Sequence, residues 1–166
     1  HERDGKMTPI GPSARQMNSM MSYAHGSENQ LEYWSRTNQM KGLSGNRPAF
    51  VSYLDESASL NERLKAYLDI NCAHCHNPKG PAKSSGLFLG HTYYGSTAYG
   101  IMKSPVAAGR GSGGLNYDIV PGKPSESILL YRIDSHDPGI MMPELGRSKI
   151  HQEGVALIKA WIKSIH

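Results

Sequence analysis

The chain has 166 residues, of which 38% are hydrophobic and 19% charged, and it contains 18 glycines and 10 prolines. This composition is typical of one globular domain with long irregular loops, and no apolar run approaches the roughly 18 to 20 residues of a membrane-spanning helix. Lysine and arginine outnumber acidic residues by 18 to 14, giving a net charge of +4, but no basic run alternates with aromatic residues, which argues against nucleic-acid binding and favours an acidic partner surface only mildly.

Two short helical patterns occur in the first 58 residues. The first consists of residues that recur at steps of three and four: Ala14, Met17, Met20, Met21 and Ala24. Such spacing predicts the core-facing side of an amphipathic helix. The thioethers could also bind Cu(I) beside His25, but methionine fills cores more often than it binds copper, so we expect a core face. Leu31 and Trp34 predict the apolar edge of a second short helix.

The next helix begins with the sequence of a capping box. Ser59 and Glu62 have the S-x-x-E spacing in which each side chain accepts a hydrogen bond from the backbone N–H of the other residue. The apolar residues that follow recur at helical spacing: Leu60, Leu64, Tyr67 and Leu68. We therefore expect a helix that leads into Cys72 with its C-terminal end.

The stretch NCAHCHNPKGP contains the only two cysteines, Cys72 and Cys75, followed at once by His76. A Cys-x-x-Cys pair can close a redox disulfide, give half of a zinc site, or form two thioether bonds to haem with the next histidine as an iron ligand. Structural zinc would need further ligands at metal-binding spacing, and a thioredoxin-type disulfide expects a strand before the pair. The helical approach therefore favours covalent haem, and the other two uses stay open as less favoured alternatives.

The remainder of the chain is a loop followed by two helical patterns. Residues 84–117 are rich in Gly, Ser and Tyr without a sustained period, which predicts a loop with room for a short hairpin. Pro124 then stands where the first turn of a helix accepts proline. From about His151, one apolar stripe marks a C-terminal helix: Val155, Ile158, Trp161, Ile162 and Ile165. Each buried aliphatic side chain contributes about 1.5 to 3 kcal/mol, so we expect this helix to be a main support.

Four stretches together resemble the class I c-type cytochromes: RLKAYLDINCAHCHNPKGPA, IVPGKPSESILLYRI, GIMMPELG and EGVALIKAWI. They look in particular like the haem domains of secreted bacterial and planctomycete-type cytochromes. The resemblance implies a mainly α, class I cytochrome c fold over residues 59–166, with few helices and long loops around one covalent haem c. It also implies an N-terminal extension, residues 1–58, that packs on this domain. Some relatives carry two haems, whereas this chain has a single attachment motif.

The resemblance assigns roles to four side chains. Cys72 and Cys75 become the thioether anchors, His76 the proximal iron ligand, and Met142 the distal ligand. In the family, a backbone carbonyl shortly after the motif accepts the N–H of the proximal imidazole, and the Gly80-Pro81 step is where we expect it. Such a partner fixes the ring and raises its basicity.

Two alternatives concern the distal ligand. Pro143 disfavours a helical turn, so we expect residues 141–143 to be extended, with neighbouring side chains on opposite sides and only Met142, not Met141, toward the iron. A second histidine could replace methionine as ligand, and the candidates are His91, His136 and His151.

These features predict a monohaem electron-transfer protein or domain rather than an enzyme, because iron with imidazole and thioether ligands keeps no open position. The alternative is a haem enzyme or small-ligand sensor with a labile or absent distal methionine, in which His91 could serve as acid or base. An inert docking module is a third hypothesis. The resemblance further implies an extracytoplasmic, periplasmic or secreted location, because bacteria attach this type of haem outside the cytoplasmic membrane, and protein redox partners.

Overall fold

The structure of the chain, a computed structural model, describes residues 2–3, 6–7, 9–43, 45–106 and 108–166. Its α-helices are α1 (Ala14–Met17), α2 (Gln30–Arg36), α3 (Leu60–Asn71), α4 (Ile128–Ile133) and α5 (Gln152–Ser164). Two antiparallel strand pairs join β1 (Glu2–Arg3) to β2 (Lys6–Met7), and β3 (Met20–Tyr23) to β4 (Gly26–Asn29). The described part of the chain therefore has a mixed fold in which helices predominate over two small sheets.

The hydrophobic core lies between α3, α4 and α5. Its fully buried members include Leu64 and Leu68 of α3 and Ile158, Trp161 and Ile162 of α5. The predicted C-terminal stripe is confirmed, with Leu157 as a further buried residue and with Val155 and Ile165 packed against the core. The indole N–H of Trp161 donates to Asn61 Oδ1 at 2.8 Å, so its polar atom is satisfied while its ring is buried.

The predicted helix before the cysteines is also confirmed. Ser59 is the N-cap of α3, and its hydroxyl accepts a hydrogen bond from the backbone N–H of Glu62 at 3.2 Å. The Glu62 carboxylate pairs with Lys65 at 2.7 Å. The serine half of the capping box is therefore formed, and the glutamate side chain stabilises the exposed face of the helix instead.

The predicted methionine helix is wrong. Helix α1 ends at Met17, and Met20 and Met21 lie in strand β3 with 63% and 44% of their surface exposed. The Asn18 side chain donates to the Arg47 carbonyl and accepts a hydrogen bond from the Asn29 amide at 2.8 Å, which fixes a non-helical connection. Tertiary contacts thus override the helical spacing. The second predicted helix, by contrast, is confirmed as α2, with Leu31 buried.

Short 3-10 turns occupy the region predicted as a loop. They comprise Lys83–Ser85, His91–Tyr93, Thr97–Tyr99 and Gly109–Ser112. Among the described residues of 84–117 no hairpin occurs, and parallel bridges instead join Ile101 to Ile119 and Tyr117 to Ser127. Pro124 begins a further 3-10 turn, Pro124–Glu126, and the α-helix predicted there starts later, at Ile128.

The first 58 residues contact the remainder of the chain through a few side chains. The Gln16 amide donates to Asp69 Oδ1 at 3.1 Å, and Phe50 packs edge-on against His91. The Tyr53 carbonyl accepts from Arg63 Nε at 2.8 Å. Within the described ranges, no helix has the length and apolar character needed to cross a membrane.

Candidate functional site

Helix α3 places both cysteines and the following histidine on one tight turn. Cys72 is the C-cap, and its N–H donates to the Leu68 carbonyl at 2.9 Å. The Cys72 carbonyl then accepts from the N–H groups of Cys75 and His76 at 3.1 and 2.9 Å. Both cysteines are thiols. The turn therefore presents two sulfur atoms and one imidazole from five consecutive residues.

The electrostatic environment disfavours thiolates. Burial raises the pKa of Cys72 to about 12, with the Cys75 thiol as a smaller cause. Burial also raises the pKa of Cys75, and the Glu144 carboxylate adds to the rise. Catalytic disulfide centres use cysteines whose pKa is lowered, because the thiolate is the nucleophile. This site has the opposite property, so it is poorly suited to thiol–disulfide exchange.

A backbone carbonyl orients the His76 ring. The Nδ1 atom of His76 lies 3.2 Å from the Leu87 carbonyl oxygen, and the N–H of Leu89 donates to the His76 carbonyl at 3.0 Å. With its proton on Nδ1, the ring donates to Leu87 and keeps its Nε2 lone pair for a metal. Burial lowers the pKa of His76, which favours the neutral ring that a metal requires. No residue in the described ranges hydrogen-bonds Nε2.

The expectation that the Gly80-Pro81 step orients this ring is wrong. The Gly80 carbonyl accepts from the Lys83 N–H at 3.1 Å instead. Gly80 serves a different purpose, because a Cβ atom there would lie 2.2 Å from the Cys75 carbonyl oxygen. The chain therefore turns back tightly on the cysteine motif at Gly80, and the acceptor comes seven residues later.

The Met-Pro loop is held at the C-terminal end of α4. The N–H of Met142 donates to the Arg132 carbonyl at 3.0 Å, and its carbonyl accepts from Arg147 Nη1 at 2.9 Å. The N–H of Met141 donates to the Asp137 carbonyl at 2.8 Å. Both methionines are half-buried, and residues 141–143 lie outside helices and strands. Which of the two faces a bound metal stays a prediction.

The Met-Pro loop lies within electrostatic range of the cysteine motif. Burial is the main cause of the raised pKa of Cys75, and the carboxylate of Glu144, two residues after Met142, is a smaller cause. Burial is the main cause of the lowered pKa of His76, and the charges of Arg132 and Glu144 act on it in opposite directions. The fold thus brings the end of α4 and the Met-Pro loop within electrostatic range of the imidazole, although 66 residues separate Met142 from His76.

A buried hydroxyl completes the polar environment. Tyr99 is fully buried, and within the described chain its hydroxyl has no hydrogen-bond partner. Burial raises the pKa of Tyr99 far above its ordinary value, and Cys72 is the next cause, which places the ring near that thiol. An unsatisfied buried hydroxyl costs free energy, so it indicates a place for a further polar group. Two thiols, an oriented imidazole and this hydroxyl are groups that could accommodate a covalent haem, with Met142 as the candidate thioether.

Two of the other candidate histidines bond side chains of helix α3, and the third is exposed. His91 Nδ1 lies 2.8 Å from Asp69 Oδ2, and His151 Nδ1 lies 2.9 Å from the Tyr67 hydroxyl. His136 is exposed. In the part of the chain that the structure describes, no three or more His, Cys, Asp or Glu side chains form a metal-binding group. The sequence alone did not reveal Leu87, Arg132 and Arg147, which bond the candidate ligands, or Tyr99, whose buried hydroxyl has no partner among the described residues.

Comparison with known proteins adds no relative. No protein family, curated protein or solved structure matches the chain.

Proposed function

We propose that this chain is a monohaem c-type cytochrome that carries single electrons between protein partners. Cys72 and Cys75 hold the haem through thioether bonds, and His76 and Met142 bind its iron. The proposal includes the class I cytochrome c fold for residues 59–166 and an extracytoplasmic location. The +4 net charge favours partners with a mildly acidic surface.

One observation carries the proposal: an imidazole oriented by a backbone carbonyl follows two cysteine thiols on a single turn. The His76–Leu87 hydrogen bond of 3.2 Å leaves Nε2 available as a metal ligand. The thiols have raised pKa values, so they are poorly suited to disulfide exchange. Covalent haem attachment employs all three side chains of a Cys-x-x-Cys-His sequence together.

The protein's part in electron transfer is to hold both ligands still. When bound, haem supplies a one-electron change of its iron. The Leu87 carbonyl fixes the direction of the His76 ring, and the bonds of Arg132 and Arg147 fix the Met142 backbone. Side chains that keep one position in both oxidation states leave little to rearrange. A haem packed against the buried core around α3 and α5 would be shielded from water, which would favour a raised potential.

The test is maturation of the full chain in cells that carry the haem-attachment machinery, with an established c-type cytochrome expressed beside it as a positive control. Intact mass and the pyridine haemochrome spectrum should show one haem joined by two thioether bonds. Cys75→Ala should retain at most one bond, whereas Ser84→Ala, an exposed position after the motif, should retain both. A chain at its bare mass, with the control cytochrome fully matured, would show that the proposal is wrong.

Spectroscopy separates electron transfer from a ligand-binding enzyme or sensor. A closed site predicts a low-spin spectrum, a thioether-to-iron charge-transfer band, and no change when carbon monoxide is added to the reduced protein. Immediate binding of carbon monoxide by the wild-type protein would favour the sensor or enzyme instead.

A further inference from the structure

The backbone of Met142 is fixed on both sides. Its N–H donates to the Arg132 carbonyl at 3.0 Å, and its carbonyl accepts from Arg147 Nη1 at 2.9 Å. The position of a side chain follows that of its backbone. Fixing both peptide groups therefore limits the volume that the thioether sulfur can reach.

Arg147 joins this residue to the end of a helix. Its Nη1 also donates to the Ile133 carbonyl at 2.6 Å, and its Nη2 donates to the Ser135 carbonyl. Carbonyls at the C-terminal end of a helix lack intrahelical partners, so they accept such bonds readily. A planar guanidinium directs several N–H groups at once, which the single ammonium of lysine does less well. One half-buried side chain thus links α4 to the Met-Pro loop.

Arg132 makes a second link, but it has several other contacts. Its Nε donates to the Ile140 carbonyl at 2.8 Å, and its guanidinium lies 3.8 Å from Glu144. It also packs against Gly111, where a Cβ atom would lie 3.0 Å from Cζ. Replacing Arg132 would disturb all of these contacts, so Arg147 gives the cleaner test.

We propose that Arg147 is the positioning residue for the distal ligand. By bonding the Met142 carbonyl and the end of α4 together, it holds the thioether where it can bind iron. The inference depends on the proposed function, because it takes Met142 to be that ligand. Loss of a hydrogen bond from a charged donor shifts an equilibrium about tenfold to a hundredfold, and the shift should appear as easier replacement of Met142 by an external ligand.

The experiment compares Arg147→Met with Arg63→Met in the mature full-length protein. Arg63 is a matched control, because it is also half-buried and donates to a backbone carbonyl outside the Met-Pro loop, that of Tyr53 at 2.8 Å. Three quantities are measured: the thioether charge-transfer band of the oxidised protein, the carbon monoxide affinity of the reduced protein, and the urea midpoint. Arg147→Met should weaken the band and raise the affinity about tenfold or more. Arg63→Met should change neither the band nor the carbon monoxide affinity, even if it lowers the urea midpoint as much as Arg147→Met does.

Different results separate the inference from the proposed function. If the wild-type protein holds haem but lacks the band, or if the Met142→Leu variant keeps the band, Met142 is not the distal ligand. If the band depends on Met142 but is unchanged in Arg147→Met, the positioning role alone is wrong. Should Arg147→Met not mature, Arg147→Lys replaces it, since the ammonium of lysine lacks the planar fork with which Arg147 reaches the helix end and Met142 together. A wild-type band and affinity in that variant would likewise overturn the inference.

Discussion

Replacing Gly154 by alanine tests how closely α3 and α5 must approach. Gly154 is buried in the first turn of α5, and a Cβ atom there would lie 1.9 Å from Tyr67 Oη and 2.3 Å from its Cζ. The Tyr67 hydroxyl also bonds His151 Nδ1 at 2.9 Å. An ordinary contact begins near 3.4 Å, so the hydroxyl must move by about 1.5 Å, which breaks that bond.

The magnitude follows from three contributions. Overpacking a core costs about 1 to 3 kcal/mol, and the lost hydrogen bond about 0.5 to 1.5 kcal/mol. Alanine returns about 1 kcal/mol through its higher helix propensity. Gly154→Ala should therefore lower the free energy of unfolding by about 0.5 to 3.5 kcal/mol. A loss of about 2 kcal/mol corresponds to a fall of about 4 to 8 °C in Tm for a domain of this size.

Urea denaturation of the mature protein, followed by far-UV circular dichroism, measures the effect. Gly11→Ala is the matched control, because nothing lies within 4 Å of its Cβ position, and it should change stability by less than about 0.5 kcal/mol. Tyr67→Phe removes the hydrogen bond alone. Combined with Gly154→Ala, it should cost less than the sum of the two, since the same bond is lost in both. A Gly154→Ala protein as stable as wild type would refute the close approach of Tyr67 to α5.

Three further predictions concern the site and its surface. Met142→Leu should abolish the thioether charge-transfer band and admit carbon monoxide, while Met141→Leu keeps the band; the reverse result would place the ligand one residue earlier. In the haem-free chain, the raised pKa of Cys72, about 12, means that the folded state binds this proton more tightly than the unfolded state. The contribution of Cys72 to stability is therefore complete below about pH 9 and declines up to about pH 12. Urea midpoints measured at about pH 8 and pH 10.5 should show this decline, and Cys72→Ala should reduce it. An unchanged decline in Cys72→Ala would contradict the raised pKa of Cys72. Electron transfer should slow only modestly with salt, because the positive charges are spread and screened beyond about 8 Å, and a steep salt dependence of the stopped-flow rate would reveal a lysine cluster.

Local signals predicted the two helices that form the core. Ser59 marks the start of α3 through its side-chain cap, and the stripe ending at Trp161 and Ile162 marks the buried face of α5. In both helices the local propensity and the tertiary burial agree, so sequence spacing alone was sufficient. The adjacency of Cys72, Cys75 and His76 likewise required only the sequence, although their use for haem stays a prediction.

The failures have a common cause in long-range polar contacts. The helical spacing of the methionines gave no sign that Asn18 bonds residues 47 and 29, and that contact ends α1. Leu87 orients His76 through a backbone carbonyl, a group that every residue has. Arg147 holds Met142 in the same way. Side-chain patterns do not identify backbone acceptors, so sequence reasoning predicted the candidate ligands but placed the carbonyl partner of His76 at the wrong residue.

Packing and polar contacts have separate roles in the site. Burial of α3, α4 and α5 in one core fixes how far the cysteine motif lies from the Met-Pro loop. The directions of individual side chains depend on a few hydrogen bonds to backbone carbonyls. The Leu87 carbonyl orients the His76 ring, and Arg147 bonds the carbonyl of Met142. Substitutions in the core should then lower stability while keeping the same iron ligands. Substitutions at the polar contacts should release one ligand even though they leave the apolar burial intact.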